Sequence, residues 1–331
     1  MFGFTPTAIS HRTSTRDPID SESPDLDWTV ALAGGEGVRL GDYVAQRFGS
    51  RMPKQYCRFV GTRSMLEHTL DRLAVLTPAE RTLCVIGTRH RELALGQLAG
   101  RADHVFCQPA SRDTGLALFT ALAMIKRWHP SAVVTVTPCD HYVTPAGRYI
   151  EIVRSARSVA RRLRGTVVML GAHASTPDTD FGYLSLGAPL LDIPEVRRVV
   201  GFVEKPVFSV AQELVAGGAL WNTMVVCGSV DALWELGRAT QPGLIDILDA
   251  LVPLIGTIDE DDAIDHVYRA LLPVGFSHDI VERAPERLTA MTLDGVDWSD
   301  WGRPERIEEV LARRDARVAQ SLEPQREAPR A

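Results

Sequence analysis

Thiol pairs are missing from this chain. Its five cysteines, Cys57, Cys84, Cys107, Cys139 and Cys227, are scattered, odd in number and form no CxxC. That argues against a disulfide framework and for a reduced, cytosolic protein whose thiols pack as small apolar groups. Excess basic charge is missing as well: 36 Lys and Arg face 42 Asp and Glu, a net charge of −6, so no basic face is offered to nucleic acid. No apolar run reaches the length of a membrane span, so no membrane partner is expected. The N-terminal segment lacks the long apolar stretch of a signal peptide; rich in Ser, Thr, Pro and Asp, residues 1–26 read as a disordered extension. Two common phosphate-binding signatures also fail. Leu40 stands where a dinucleotide fingerprint needs its third glycine, and no Gly-Lys-Ser or Gly-Lys-Thr completes a P-loop.

What is present is a globular composition, 45% hydrophobic and 24% charged over 331 residues, enough for one large core or two smaller ones. The stretch 27–56, DWTVALAGGEGVRLGDYVAQRFGSRMPKQY, organises the rest. Residues 28–33 read as a buried strand that opens into Gly34, Gly35 and Gly37, with Arg39 and Lys54 close behind. Glycines let the backbone turn at positive φ and bring its N–H groups near a ligand. With two cations nearby, the stretch reads either as a polyphosphate cradle or as a tight turn with a solvated arginine.

Beyond it, strands expected at 82–87, 104–108, 132–137 and 166–171 alternate with helices at 64–76, 89–98, 116–128 and 150–163. This alternation predicts an α/β fold, a mostly parallel sheet covered by helices on both faces. Ligands bind such sheets at the carboxyl ends of the strands, which would bring the glycine loop, Gln108-Pro-Ala-Ser-Arg112-Asp-Thr-Gly and Pro138-Cys-Asp140-His141 to one edge. The second half is less regular: strands at 196–204, 220–227 and 288–293, helical segments at 207–216 and within 231–272, and a last helix over 304–313. The catalytic unit is placed at 27–315 and a disordered tail at 316–331.

Taken singly, the candidate residues stay open to two readings. Asp140 and Asp300 are ligands for a hard divalent cation or turn caps. Glu204 and Lys205 are a sugar-hydroxyl acceptor beside a phosphate-binding ammonium, or an exposed ion pair. Asn222 contacts a ligand or bonds the backbone. Arg112 meets a nucleotide or water. Cys139 lies beside these groups without a recognisable base to activate it.

In order along the chain, GGEGVRL, PKQY, QPASRDTG, TPCDHYV, DTDFGYL, FVEKP, LWNT, FSHDIVE and WSDWG resemble the mannose-1-phosphate guanylyltransferase group of the sugar-phosphate nucleotidyltransferases, over about residues 28–313. The resemblance implies a three-layer α/β/α sandwich with a mixed, mostly parallel sheet, the Rossmann-like nucleotide-diphosphosugar transferase fold. It implies that Gly34, Gly35, Gly37, Arg39 and Lys54 hold the triphosphate, with Gln108 and Arg112 near base and ribose. Asp140 and Asp300 would bind Mg2+; Gly182, Glu204 and Asn222 would contact the sugar and Lys205 its phosphate; Arg39, Lys54 and Asp140 would carry the catalysis. The substrates would be GTP and mannose-1-phosphate, or another nucleoside triphosphate and sugar-1-phosphate, in a cytoplasmic enzyme that leaves room for a homodimer. Asp279 and Glu282 fall in a further family segment. Val38, Asp180 and Met224 depart from the family pattern, which has threonine at the first position and glycine at the other two. Those departures motivate a catalytically weak nucleotide-sugar sensor as the alternative, and the start of the chain, PKQY followed by LEHTLDRL, also resembles the isoprenoid-type cytidylyltransferases.

Overall fold

The structure is a computed structural model that describes residues 26–322. The N-terminal extension therefore lies outside the described residues apart from Leu26. In chain order the elements are β1 (Asp27–Ala33), α1 (Gly41–Phe48), α2 (Met65–Leu73), β2 (Thr82–Gly87), α3 (Arg91–Leu98), β3 (His104–Gln108), α4 (Asp113–Trp128), β4 (Val133–Pro138), β5 (Tyr142–Thr144) and α5 (Ala146–Arg162). There follow β6 (Val167–His173), β7 (Gly182–Leu190), β8 (Ile193–Glu204), α6 (Phe208–Ala216), β9 (Leu220–Ser229), α7 (Val230–Thr240), α8 (Pro242–Leu251), α9 (Glu260–Ala270), β10 (Leu288–Thr292), β11 (Asp297–Ser299) and α10 (Pro304–Leu322).

Nine strands form one mixed sheet in the order β3-β2-β1-β4-β9-β6-β10-β8-β7. The first four are mutually parallel, as the strand-helix alternation requires. β9 then runs antiparallel to both β4 and β6, and β7 and β8 form an antiparallel ribbon. The start of β9 also pairs with β7, so β9, β6, β10, β8 and β7 close into a ring of pairings.

Period-2 alternation sends successive side chains to opposite faces. Val30, Leu83, Val85, Val134 and Val136 pack under α4, α7, α8 and α9. Ala31, Ala33, Cys84 and Ile86 face α2 and α3, while Val168, Leu170, Val225 and Cys227 face α5. These are the three layers expected from the sequence. α2 begins where its chemistry says it should. The Ser64 hydroxyl accepts from the Glu67 N–H at 3.1 Å and the Glu67 carboxylate accepts from the Ser64 N–H at 2.8 Å, a capping box.

Besides β5 and β11, which pair as a small separate sheet that the sequence does not predict, three segments differ from the sequence expectation. Residues 41–48 form a helix, α1, where the sequence predicts no element; its Val44 packs with Leu40, Phe59, Trp301 and α10. FSHDIV, residues Phe276–Val281, is a single π-helical turn. The last helix continues to Leu322 rather than stopping at residue 313, so residues 316–322 of the expected disordered tail are helical; the remainder lies outside the described residues. Among the described residues no helix is long and apolar enough to cross a membrane.

One buried cation locks the sheet to α5. Arg157, with 2% of its side chain exposed, donates from Nε to Thr135 Oγ1 at 2.6 Å, from Nη1 to the Leu76 carbonyl at 3.0 Å, and from Nη2 to Thr29 and Thr77 hydroxyls at 2.9 and 2.6 Å. Asp27 lies 3.7 Å away as counter-ion. The network fixes β1 and β4, the two strands whose ends carry the glycine loop and Asp140. Replacing Arg157 by Ala should lower unfolding stability by about 3 kcal/mol, because several buried acceptors lose their donor at once. Urea denaturation with an unchanged midpoint would show that the network is dispensable.

Candidate active site

The parallel half of the sheet delivers its loops to one edge. β1 ends in Gly34-Gly35, β2 in Gly87, β3 in Gln108 and β4 in Pro138, two residues before Asp140. Gln55, nearly fully buried, holds the glycine loop from below: its amide donates to the Ala33 carbonyl at 2.9 Å and to the Gly35 carbonyl at 2.7 Å. Tyr56 adds a hydroxyl donor to Ala33 at 3.0 Å. Gly37 has φ +67°, and a Cβ there would lie 2.5 Å from Pro53 Cα. The loop is thus seated on PKQY by contacts that no larger residue at 37 permits. A Cβ on Gly34 would in turn lie 2.1 Å from Gln108 Nε2, which puts the amide of Gln108 against the loop.

Between these ends lies a cavity of about 450 Å³, walled by Gly34, Val38, Thr88, Arg89, Gln108 and Ser111. Arg89 closes one side through a 3.4 Å ion pair with Glu36. Thr88 and Arg89 are absent from the sequence expectations, although the carboxyl end of the strand at 82–87 marks them as surely as it marks the other three loops. Arg39 is exposed on the short turn Val38–Leu40. Arg112, expected beside Gln108, does not line the cavity: its Nε donates to the Tyr268 carbonyl at 3.1 Å and ties the start of α4 to the end of α9.

Lys54 joins the loop to both aspartates. Its ammonium lies 3.2 Å from Asp140 Oδ2, donates to the Trp301 carbonyl at 3.3 Å and makes a short contact with the Asp300 carbonyl. Burial opposes ionisation of Asp140, but the Lys54 charge, with help from His141, outweighs it and holds the carboxyl below its usual range. His141 accepts from Trp298 Nε1 at 3.3 Å through Nδ1 and turns Nε2 toward Asp140 Oδ1 at 3.6 Å. Burial lowers its pKa, the Asp140 charge opposing. Asp300 accepts on Oδ1 from the Gly302 N–H at 3.0 Å and from Arg306 Nη1 at 2.7 Å. Cys139 is fully buried and burial, then Cys84, pushes its thiol well up, so it is an inert packing group rather than a nucleophile.

The second half supplies a neighbouring cluster. Gly182 pairs with Glu204 in register across β7 and β8, and Asn222 sits at the start of β9 opposite Gly171. A bulge after Asn222 leaves Met224 at φ +57°. The Asn222 side-chain oxygen accepts from the Met224 N–H at 2.9 Å, and its amide donates to Ser277 Oγ at 3.3 Å. Glu282 accepts from the Glu204 N–H at 3.0 Å and meets His278 Nδ1 at 2.6 Å. Burial raises the Glu204 pKa; the Lys205 ammonium, 3.2 Å away, opposes this and Glu282 reinforces it. Asp279 instead serves its own turn, accepting from the Gly275 N–H at 2.8 Å and from Arg283 at 3.2 Å. Ser277 and His278 escape sequence reasoning because a π-turn has no periodic signature.

Among the described residues, the non-glycine positions with positive φ are Asp113, Lys205, Met224 and Trp301. Each falls within, or next to, one of the segments that supply these loops. Left-handed backbone costs a non-glycine residue on the order of 1–3 kcal/mol and gathers at functional sites.

The nucleotidyl transferase family model matches residues 28–315. Mannose-1-phosphate guanylyltransferase of Escherichia coli is 27% identical over 282 residues, which cover 82% of this chain and 59% of that protein. Alginate biosynthesis protein AlgA of Pseudomonas syringae pv. tomato is 29% identical over 281 residues, 82% of this chain and 56% of that protein. The chain thus spans less than three-fifths of the length of these curated relatives. A crystal structure described as mannose-1-phosphate geranyltransferase from Thermus thermophilus superposes with a TM-score of 0.75 at 28% identity, covering 87% of this chain and 79% of that one. With the glycine loop, Lys54, Asp140 and Asp300 all inside the matched region, the chain belongs to the nucleotidyl transferase family.

Proposed function

We propose that this chain joins a nucleoside triphosphate to a sugar-1-phosphate, giving an NDP-sugar and pyrophosphate, with GTP and mannose-1-phosphate as the preferred pair. The observation that carries the reading is the position of Lys54: its ammonium is anchored by Asp140 and by the Asp300 and Trp301 carbonyls, directly behind the glycine loop that Gln55 and Pro53 support. The relatives' names support the choice of base and sugar.

In this reading the triphosphate lies along the loop at Gly34, Gly35 and Gly37, with Arg39 and Lys54 as its cations and Gln108 toward the base. Glu204, Asn222 and Gly182 take the sugar and Lys205 its phosphate. A sugar-phosphate oxygen attacks the α-phosphorus; the bond to the bridging oxygen breaks and pyrophosphate leaves with the electron pair. The attacking oxygen is already anionic, so positioning and charge neutralisation suffice and no general base is needed. The buried thiol of Cys139 suits direct displacement. The Lys54 N–H groups already meet Asp140 and the Asp300 and Trp301 carbonyls, so Lys54 would act by its charge, whereas each charge-assisted hydrogen bond from Arg39 would contribute about 1.5–3 kcal/mol.

The donor set fits a magnesium ion. Asp140 and Asp300 are hard carboxylates on segments that Lys54 ties to each other, through the Asp140 carboxylate and the Asp300 backbone carbonyl, and Asp300 Oδ2 takes no hydrogen bond among the described residues. Among those residues no group of three or more His, Cys, Asp or Glu is arranged to hold a metal. Two carboxylates are a sufficient protein share for Mg2+, which uses one or two and fills its shell with water and phosphate. Bound there, it would supply electrostatic stabilisation of the charge on the transferring phosphate.

Three outcomes are expected. Purified protein with Mg2+ should release pyrophosphate from GTP plus mannose-1-phosphate, and less from UTP, dTTP, CTP or ATP or with glucose- or N-acetylglucosamine-1-phosphate. Release with a different pair would move the substrate assignment, and none from folded, nucleotide-binding protein would make the chain a sensor. Lys54→Ala and Asp140→Asn should each lower kcat by about 100-fold or more, the scale of lost electrostatic stabilisation in a transition state. Each also breaks a buried ion pair and should lower the melting temperature, so turnover is measured on protein shown to be folded, and near-normal turnover in either would remove its role. Met224→Gly relieves a left-handed backbone worth about 1–3 kcal/mol but gives up the packing of a partly buried side chain, so the two offset and unfolding stability should change little while KM for the sugar phosphate changes. An unchanged KM would place Met224 outside the sugar pocket.

A further inference from the structure

Asp300 is not held by its own loop alone. Arg306, in the first turn of α10, sends Nη1 to Asp300 Oδ1 at 2.7 Å. Its other terminal nitrogen, Nη2, is shared: it makes a short contact with Asp178 Oδ2 and reaches Asp180 Oδ2 at 3.4 Å. Arg303 makes a short contact from Nε to the same Asp180 oxygen and lies 3.9 Å from Asp178 Oδ1. The guanidinium carbon of Arg306 sits 4.3 Å above the centre of the Phe181 ring, and only 16% of its side chain is exposed. Asp178 is fixed in turn, its backbone N–H donating to the Tyr183 hydroxyl at 2.8 Å and its carbonyl accepting from it at 2.9 Å. One arginine therefore spans the segment that precedes Gly182 and the loop that carries Asp300.

We infer that Asp180 is a positioning residue for cation binding: with Asp178 it engages Nη2 of the Arg306 guanidinium whose Nη1 bonds Asp300 Oδ1, so that Arg306 stays on that one oxygen and Asp300 Oδ2 is left for a divalent cation. The inference rests on the proposed reading of Asp140 and Asp300 as cation ligands. The physical argument is competition. A guanidinium has a fixed charge and a planar fork, and whatever part of its field is satisfied by Asp178 and Asp180 is not exerted on Asp300. Two hydrogen bonds already fall on Asp300 Oδ1. A guanidinium free to grip both Asp300 oxygens would make the carboxylate a poor metal ligand, whereas an arginine held at its other nitrogen by Asp178 and Asp180 orients the carboxylate through Oδ1 alone. This gives the aspartate at 180 a function that a glycine there could not serve, and one separate from contact with the sugar.

The test measures the affinity of a fluorescent GTP analogue in EDTA and again in saturating Mn2+; the ratio of the two dissociation constants reports the cation. Asp180→Asn, which keeps the shape and removes the charge, should reduce that ratio about tenfold, the lower end of what outer-sphere partners of a metal ligand contribute, with the value in EDTA unchanged. Asp180→Glu should restore most of it. In an Arg306→Gln background the Asp180→Asn change should shrink to less than about twofold, since its path to Asp300 is gone. Melting curves confirm that each variant is folded. An equal Asp180→Asn effect with and without Arg306 overturns the inference, as does an intact Mn2+ ratio accompanied by weaker sugar-phosphate binding. Wild-type protein that binds the analogue equally well with and without Mn2+ removes the cation reading itself, and this inference with it.

Discussion

A buried ammonium must find partners, and Lys54 finds them in three places that are remote in sequence. The residue is 9% exposed, and an unpaired charge at that depth would cost several kcal/mol. Its partners are the Asp140 carboxylate at the end of β4 and the carbonyls of Asp300 and Trp301 just beyond β11. The sheet edge, the glycine loop and the C-terminal loop therefore have to meet at one point. Trp301 makes that meeting rigid: almost fully buried, it stacks on Tyr142 at 5.1 Å and meets Phe59 edge-on at 5.1 Å. Its left-handed backbone aims the carbonyl at the ammonium instead of continuing the strand.

The two halves of the sheet divide the labour by polarity. Parallel pairing brings the carboxyl ends of β1, β2, β3 and β4 to a single rim, where Gly34 and the amide of Gln108 line a cavity. Antiparallel pairing then brings the amino end of β9 to the same rim beside the end of β6, so Asn222 arrives from the opposite chain direction. The β7–β8 ribbon adds Gly182 and Glu204 as a directly paired couple. A mixed sheet is what allows the glycine-bearing loops and a cluster rich in side-chain hydrogen bonds to share an edge.

The parallel half is legible in the sequence because its strands are short, apolar and bounded by glycine or proline, and because a loop that follows a buried strand is a local feature. The strands expected at 82–87 and 104–108 have those bounds in the structure. Asp140, Lys54 and Glu204 are legible as residue types in ordered motifs, and the structure brings Lys54 and Asp140 into contact. Other features depend on distant partners. α1 has only Val44 buried, and that burial is supplied by α10, more than 250 positions away. The tie between Arg112 and Tyr268 crosses 156 positions, so nothing near QPASRDTG announces that this arginine is engaged. Arg306 looks like any surface arginine on an amphipathic helix until Asp178, Asp180 and Asp300 are seen around it.

The separation of Lys54 from Asp300 is 246 residues, and that span has a consequence for how the protein is made. Contacts of such range form late, since loop closure has to be completed before they reward it. During synthesis the parallel strands can pair and take α2, α3 and α4 while α7, α8 and α9, which complete one face, are still to come, and the glycine loop can already sit on Pro53 and Gln55. The ammonium behind that loop would then have only Asp140 to meet it. Until Asp300 and Trp301 have been made and have docked, two of the three partners of the Lys54 ammonium are missing, so closure of that charge centre waits on the C-terminal end of the chain.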